Sequence, residues 1–205
     1  MERLRLFTAV RPPERALDEV ERAARDLRER AGAKTLRAVR RANLHVTLHF
    51  LGETDASLVE PLASAMEAAV APVTAPVELE LAPPGAFPNA RRPRTVWVGV
   101  HDASGALAAL ELRLRRNLVS PSFGGAVQLD ERPFRPHITI GYVNKRLASS
   151  ESRSVTRAIQ ETRVEPVRFL VTALVLVQSV LGRGGSTYTD IRTIALPVTD
   201  AATTE

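Results

Sequence analysis

The chain has 205 residues, of which 44% are hydrophobic and 25% are charged, and its formal net charge is +5. It contains no cysteine, which excludes disulfides, thiolate zinc sites and cysteine nucleophiles. No apolar run reaches the ~18–20 residues of a membrane helix, and the N-terminus lacks the features of a signal peptide. We therefore expect a cytoplasmic protein without membrane contact, whose basic surface is compatible with a polyanionic ligand.

The first half of the chain predicts the order strand, helix, strand, helix, strand. Alternation in RLRLFTAV predicts a strand over 3–10, and apolar residues at helical spacing predict a helix from about 14 to 30. The stretch NLHVTLHFLG predicts a strand that ends at Gly52, and a helix follows over about 58–71. The alternating stretch VELELA then predicts a third strand over 77–82.

The second half repeats this order and ends in an additional hairpin. The predicted elements are a strand over 94–100, a helix over 104–118, a strand over 137–143, a helix over about 150–161, a long strand over 169–181, a turn at 182–186 and a strand over 187–196. Val10 and Val100 end the first strands at similar distances before His45 and His137. The chain is therefore predicted to contain a structural duplication.

The duplication predicts an α+β fold with two lobes that share one core. Neither half is long enough to bury a core comfortably alone, so 1–199 is expected to form a single bilobal domain. The lobes are assigned to about 1–90 and 91–199, with strand exchange between them allowed, and the joint falls near the Pro-, Gly- and Arg-rich stretch 82–94. The tail 200–205 is expected to be frayed.

The strand LHVTLHFLG contains two of the four histidines. Because alternate side chains on a strand share a face, His45, Thr47 and His49 are predicted to point one way, and Leu48 and Phe50 toward the core. A half-buried strand with a solvated polar face would give the same pattern. A second copy occurs at the matching place in the repeat, and this repetition favours a functional role over a solvated polar face.

The second copy is HITI, in which His137 and Thr139 share a face. Two histidines supply an acid and a base near neutral pH, and threonine hydroxyls donate hydrogen bonds to phosphate oxygens. In-line displacement at phosphorus needs these groups around one phosphate. Two antiparallel His-x-Thr strands across a cleft would provide them without a metal.

The motifs HVTL and HITI, together with the stretches RLFTAVRPP, NLHVTLHFLGE, GAFPNARRPRTVWVGV, ERPFRPHITIGYV and LVQSVLGRGGSTYT, run from about residue 3 to 195. In these residues the chain resembles the RNA 2′,3′-cyclic phosphodiesterases, also called 2′-5′ RNA ligases, of the two-histidine phosphoesterase superfamily. The resemblance implies a pseudo-twofold symmetric, duplicated α+β bilobe with antiparallel sheets lining a central cleft. It also implies hydrolysis of RNA 2′,3′-cyclic phosphate ends, such as those of tRNA fragments, to 2′-phosphates.

The same resemblance implies roles for particular residues. His45 would be the general acid that protonates the departing 3′ oxygen, and His137 the base that deprotonates the attacking water. Thr47 and Thr139 would hold the phosphate, and Arg135 would add charge-assisted hydrogen bonds. ATP-independent 2′-5′ ligation is implied as the reverse chemistry, in which the acid and base exchange roles. No cofactor and no metal are expected, and the protein is expected to be a monomer.

One position and one loop depart from the family pattern, the loop being 119–134, which is longer than usual. Several other patterns have alternative interpretations. His49 stands where the family commonly has lysine or arginine, and it is expected to face the cleft rim as a weaker substrate-binding group. His45 and His49 also have the spacing of a helical zinc site, but the alternating residues around them favour a strand. The GRGG stretch at 182–185 resembles a phosphate loop but lacks its Lys-Ser/Thr, so a hairpin turn is expected. His101 is expected in a surface loop.

Arg91, Arg92 and Arg94 fit either an RNA-binding track or solvated loop positions. Two other functions remain open at the level of sequence. One is a non-catalytic RNA- or nucleotide-binding protein with the same cleft. The other is a phosphodiesterase that acts on a small cyclic-phosphate nucleotide rather than on RNA.

Overall fold

The computed structural model describes residues 2–120, 123, 125, 127, 129, 132–144, 146–182 and 185–198. In this part of the chain the strands are β1 (Arg3–Val10), β2 (Leu36–Ala38), β3 (Val46–Asp55), β4 (Val77–Phe87), β5 (Thr95–His101), β6 (His137–Val143), β7 (Arg168–Val171), β8 (Ala173–Gly182) and β9 (Gly185–Ala195). The helices are α1 (Glu14–Ala31), α2 (Val59–Val70), α3 (Ala106–Leu118) and α4 (Ser149–Glu161). No helix in the described ranges is long and apolar enough to cross a membrane. The tail predicted to fray, 200–205, lies outside the described residues.

The strands form one curled, antiparallel sheet in the order β7-β4-β5-β6-β3-β1-β8-β9, and β2 pairs with β6. This order has pseudo-twofold symmetry about the junction of β6 and β3, the two histidine strands. Strand β5 corresponds to β1, β4 to β8 and β7 to β9. The predicted α+β duplication with antiparallel strands is confirmed.

The two repeats exchange elements across the symmetry axis. Strand β4, from the first half of the chain, pairs with β5 of the second, and β8, from the second half, pairs with β1 of the first. Helix α1 packs on α4 and contacts β6, and α3 packs on α2 and contacts β3. Each half of the chain on its own would therefore lack strands that complete its part of the sheet.

The core lies between the sheet and the helices. Helix α1 carries an apolar stripe that includes Leu17, Val20 and Leu27, and it ends at Gly32, whose φ of 96° favours glycine. Residues 6–10 of β1 are buried throughout because this strand lies between β3 and β8. Val46 and Ile138, at the centre of the sheet, are fully buried on the helix side.

The structure corrects three predicted elements. The long strand predicted over 169–181 is two strands interrupted at Thr172, because β7 pairs with β4 and β8 with β1, at distant positions in the sheet. Strand β4 continues through Pro83 and Pro84 to Phe87, with a register shift that accommodates the missing proline N–H groups. Strand β2 was not predicted.

Candidate active site

The two His-x-Thr motifs meet at the pseudo-twofold axis. Strands β3 and β6 are antiparallel and their register consists of one pair, Val46 opposite Ile138. This register sets Thr47 toward His137 and His45 toward Thr139. All four polar residues line one cavity of about 330 Å³. The sequence prediction that these four residues share a cleft agrees with this placement.

The ring of His45 is held by two hydrogen bonds. Its Nδ1 lies 2.7 Å from the carbonyl oxygen of Asn43, and its Nε2 lies 2.9 Å from the Thr47 hydroxyl. A carbonyl only accepts, so Nδ1 carries the proton and donates, and Nε2 accepts from the hydroxyl. In this tautomer the Nε2 lone pair points toward the Thr47 hydroxyl.

His137 is held in a similar way. Its Nδ1 donates to the carbonyl oxygen of Arg135 at 2.6 Å, again two residues earlier in the chain. Its Nε2 has no protein partner among the residues that the structure describes. Both motifs therefore fix the same tautomer and leave Nε2 as the atom that exchanges a proton with a ligand.

Burial lowers the pKa of both histidines. For His45 it lowers the pKa from 6.5 to about 4, opposed by the hydrogen bond to the Asn43 carbonyl; the nearby Arg11 lowers it further and Asp190 raises it. For His137 burial again lowers the pKa, opposed by the hydrogen bond to the Arg135 carbonyl. Both rings are therefore mostly neutral at neutral pH, because desolvation disfavours the imidazolium form.

Aromatic rings enclose each histidine. The centroid of the His45 ring lies 4.8 Å from that of Phe7 and 5.4 Å from that of Tyr188. The centroid of His137 lies 4.9 Å from that of Phe87 and 5.9 Å from that of Trp97. These contacts account for the desolvation and restrict the rotation of both imidazoles.

The prediction that His49 faces the cleft is wrong. In the register of β1 with β3, Thr8 pairs with His49 and Ala9 with Thr47, so Leu48 is the extra residue of a β-bulge. The bulge turns His49 to the helix side, where it is 4% exposed. Its Nε2 lies 3.2 Å from the carbonyl oxygen of Glu111 on α3.

Phe50 occupies the cleft position that alternation assigned to His49. It lines the cavity and is 56% exposed, so the prediction that it points to the core is also wrong. A register shift also occurs in β6, where Val96 pairs with Gly141 and Trp97 with Thr139. Tyr142 is therefore the pseudo-symmetric counterpart of Phe50. Both residues line the same cavity.

Arg135 contributes its carbonyl oxygen to the site, while its exposed side chain is not among the residues that line the cavity. Its predicted contact with phosphate stays a prediction. Arg5, which sequence reasoning missed, is a charged residue in the cavity wall. The signal that could have found it is its position in β1, beside the histidine strand.

The alternative patterns have separate locations. The bulge places His45 and His49 on opposite faces of the sheet, so the two rings cannot share a metal ion. Among the described residues, no three His, Asp or Glu side chains lie close enough together to hold one. Gly182 and Gly185 pair across the β8–β9 hairpin, as predicted for a turn, and residues 183–184 lie outside the described chain.

His101 is exposed at the end of β5 rather than in a loop. The three arginines at 91, 92 and 94 are exposed in the connection between β4 and β5, and they do not line the cavity. An RNA-binding role for them stays a prediction.

Comparison with known proteins agrees with this architecture. The family model of the 2′-5′ RNA ligase superfamily matches residues 12–183. A protein of Archaeoglobus fulgidus named RNA 2′,3′-cyclic phosphodiesterase is 31% identical over 193 residues, which cover 92% of this chain and 98% of that protein. One of the same name from Geobacillus stearothermophilus is 37% identical over 140 residues, covering 68% of this chain but only 42% of that protein.

Solved structures show the same fold. A protein of Thermus thermophilus has a TM-score of 0.73 and 29% identity, with 94% of this chain and 98% of that chain covered. Escherichia coli LigT in complex with 3′-AMP has a TM-score of 0.70 and 26% identity, with 95% and 99% covered. The match of the family model, the full-length similarity to the Archaeoglobus protein and the paired histidine motifs lead to one conclusion: the chain belongs to the 2′-5′ RNA ligase superfamily.

Proposed function

We propose that this protein hydrolyses the 2′,3′-cyclic phosphate at the end of an RNA chain and leaves a 2′-phosphate. The observation that carries the proposal is the pair of His-x-Thr motifs that line one cavity from adjacent antiparallel strands. The names of the relatives support the substrate class. The role proposed for each residue is transferred from the family according to the residue's position in the His-x-Thr motif.

In the proposed reaction, Nε2 of His137 accepts a proton from water as the water oxygen bonds to phosphorus. The bond between phosphorus and the 3′ oxygen breaks, and Nε2–H of His45 gives its proton to that oxygen. The ring nitrogens then return to their starting states by proton exchange with solvent. Thr47 and Thr139 donate hydrogen bonds to the non-bridging oxygens, which gather charge in the transition state.

The lowered pKa of His45 makes it a strong acid once it is protonated, although burial leaves the free imidazole mostly neutral. A bound phosphate anion favours the imidazolium form and opposes the effect of burial. The substrate therefore helps to create the protonation state that its own cleavage requires.

The proposed mechanism uses no metal, because the two imidazoles supply the acid and the base and the hydroxyls bind the phosphate. The test is turnover of an oligoribonucleotide with a 2′,3′-cyclic phosphate end in excess EDTA, with separation of 2′- from 3′-phosphate products. We expect turnover and a 2′-phosphate end. Turnover that returns only with added zinc, or a 3′-phosphate product, would refute the mechanism.

A bridging sulfur at the 3′ position tests which histidine is the acid. A thiolate leaves without protonation, so His45→Ala should lose much less activity on the 3′-thio substrate than on the oxygen substrate. His137→Ala should lose the same factor on both, because the water must still be deprotonated. The opposite pattern would exchange the two roles.

An RNA hydroxyl in place of the attacking water would join two RNA ends through a 2′-5′ linkage without ATP. We propose this ligation as a second outcome at the same site. The assay is incubation of the cyclic-phosphate RNA with a second RNA that bears a free 5′-hydroxyl, and a product resistant to 3′-5′-specific nuclease is expected.

A further inference from the structure

A second, smaller pocket adjoins the histidine cavity. Its volume is about 90 Å³, and its lining includes two arginines, Arg37 and Arg40. It shares Asn43, Tyr142 and Tyr188 with the wall of the larger cavity. A ligand in the histidine cavity can therefore extend into this pocket, which we call the basic pocket, past the two tyrosines.

The short strand β2 builds the basic pocket. It pairs with β6 beyond the point where β3 leaves that strand, and this register places Arg37 opposite Tyr142. The Arg37 guanidinium lies 4.9 Å from the centroid of the Tyr142 ring, a cation–π contact that holds the charge at the pocket. Arg37 also lies close to the β8–β9 hairpin, because a β-carbon built on Gly185 would lie 3.3 Å from Nη1 of Arg37.

The opposite wall is fixed by hydrogen bonds. The carbonyl oxygen of Ser186 accepts from Nη2 of Arg40 at 2.7 Å and from Nδ2 of Asn43 at 2.8 Å. These bonds connect the β8–β9 hairpin to the segment before β3, which carries His45. The pocket is therefore built by several elements rather than by side chains on an open surface.

The charge of the pocket is not neutralised within the described part of the chain. Arg41, next to Arg40, binds three carboxylates, those of Glu14, Asp18 and Glu21, on the side of α1. Arg37 and Arg40 have no carboxylate partner among the described residues. No described Asp or Glu lines the basic pocket or the histidine cavity. The free positive charge is therefore concentrated on the cleft side of this segment.

We propose that the basic pocket binds the phosphodiester group on the 5′ side of the terminal nucleotide. This inference rests on the proposed cyclic phosphodiesterase activity and names the part of the RNA that the enzyme selects. The ribose that carries the cyclic phosphate is joined through its 5′ oxygen to the next phosphate in every RNA chain. A free cyclic nucleotide has only a hydroxyl at that place.

The size and chemistry of the pocket fit this group. A volume of about 90 Å³ suits one phosphate-sized polar group rather than a nucleotide, whereas the adjoining cavity of about 330 Å³ suits the terminal nucleoside cyclic phosphate. Guanidinium groups bind phosphate oxygens through charge-assisted hydrogen bonds. Selection of RNA over a cyclic mononucleotide with a free 5′-hydroxyl follows, because that nucleotide offers no anion to the basic pocket.

The test uses three substrates of increasing size: adenosine 2′,3′-cyclic phosphate with a 5′-hydroxyl, the same nucleotide with a 5′-phosphate, and the dinucleotide with a cyclic phosphate end. For the wild type we expect kcat/KM to rise about tenfold on adding the 5′ phosphate group, the scale of one charge-assisted contact. In Arg37→Gln and Arg40→Gln this ratio should fall toward one, and the salt dependence of kcat/KM on the dinucleotide should weaken by about 0.7 in the logarithmic slope. Arg25→Gln, on the exposed face of α1, makes the same charge change and should keep the wild-type ratio.

The outcomes separate the two proposals. Equal kcat/KM for all three substrates in the wild type, or an unchanged ratio in both pocket variants, would refute the basic pocket while leaving the cyclic phosphodiesterase intact. A loss of the ratio in Arg25→Gln as well would assign the effect to net charge and also refute it. Failure of the wild type on all three substrates would refute the activity itself, and with it the proposed subsite.

Discussion

The neighbouring residues His49 and Phe50 provide a direct test of the bulge in β3, because strict alternation and the bulge predict opposite results. The structure buries His49 at 4% exposure against α3 and leaves Phe50 56% exposed in the cavity wall. We predict that His49→Ala destabilises the fold with little effect on KM. We predict that Phe50→Ala raises KM with little effect on stability.

The magnitude for His49→Ala follows from its contacts. Burial lowers the pKa of His49, so the ring is neutral at neutral pH and donates from Nε2 to the Glu111 carbonyl oxygen at 3.2 Å. Loss of this hydrogen bond costs about 1–2 kcal/mol. The cavity left by a buried ring adds about 1–2 kcal/mol, so we expect a loss of about 3 kcal/mol in the free energy of unfolding.

A change of this size lowers Tm by about 6–12 °C in a chain of this length. The measurements are thermal unfolding of both variants and KM for a 2′,3′-cyclic phosphate substrate well below the lower Tm. His49→Gln retains a donor and should recover part of the stability. An unchanged Tm with a raised KM in His49→Ala would mean that His49 reaches the cleft, and it would refute the bulge.

The remaining predictions concern the histidines and their support. His45→Ala and His137→Ala should each lower kcat at least ~10²-fold, the scale of a positioned acid or base, and near-wild-type rates in either would contradict its role. The pH profile of kcat/KM should be bell-shaped with its optimum below pH 6.5, because burial lowers the pKa of both groups in the free enzyme; the optimum of kcat should lie higher, because bound phosphate favours the imidazolium form. A flat profile, or an optimum of kcat/KM above pH 7, would contradict this. Gly85→Ala would put a β-carbon 2.3 Å from Cη2 of Trp97, so we expect a loss of about 1–3 kcal/mol in the free energy of unfolding. The fluorescence of the single tryptophan should change, and kcat should fall because the displaced Trp97 ring packs on His137. Unchanged fluorescence and rate would contradict this prediction.

Most helices and strands were predictable because their signals are local. Apolar spacing located α1, and alternation located β1 and β6 at their observed bounds. Strand β2 has three residues and forms because β6 offers unpaired backbone groups, which the residues 36–38 do not reveal. The break at Thr172 likewise depends on which distant strands each segment joins.

The shared cavity of the four His-x-Thr residues was predictable from sequence, because the spacing within each motif is short and the motif occurs twice. His49 and Phe50 were not, since their faces depend on the cross-strand register with Thr8 and Ala9. A bulge is a property of a strand pair, and a single strand with regular alternation carries no sign of it. The basic pocket was missed for a related reason, because it joins Arg37 to Tyr142 across a strand pair that sequence reasoning did not contain.

The duplication explains how identical motifs provide unequal groups. Pseudo-twofold pairing directs both histidines into one cavity and fixes the same tautomer, since each Nδ1 donates to the carbonyl two residues earlier. Their surroundings differ: His45 packs on Phe7 and Tyr188 and lies in the field of the Arg11–Asp190 ion pair, whereas His137 packs on Phe87 and Trp97. The proposed acid–base hydrolysis needs one protonated and one neutral group at the same moment, so the two equivalent positions must act differently in the reaction. The symmetric sheet places the two groups in one cavity, and the asymmetric neighbours give each imidazole its own environment.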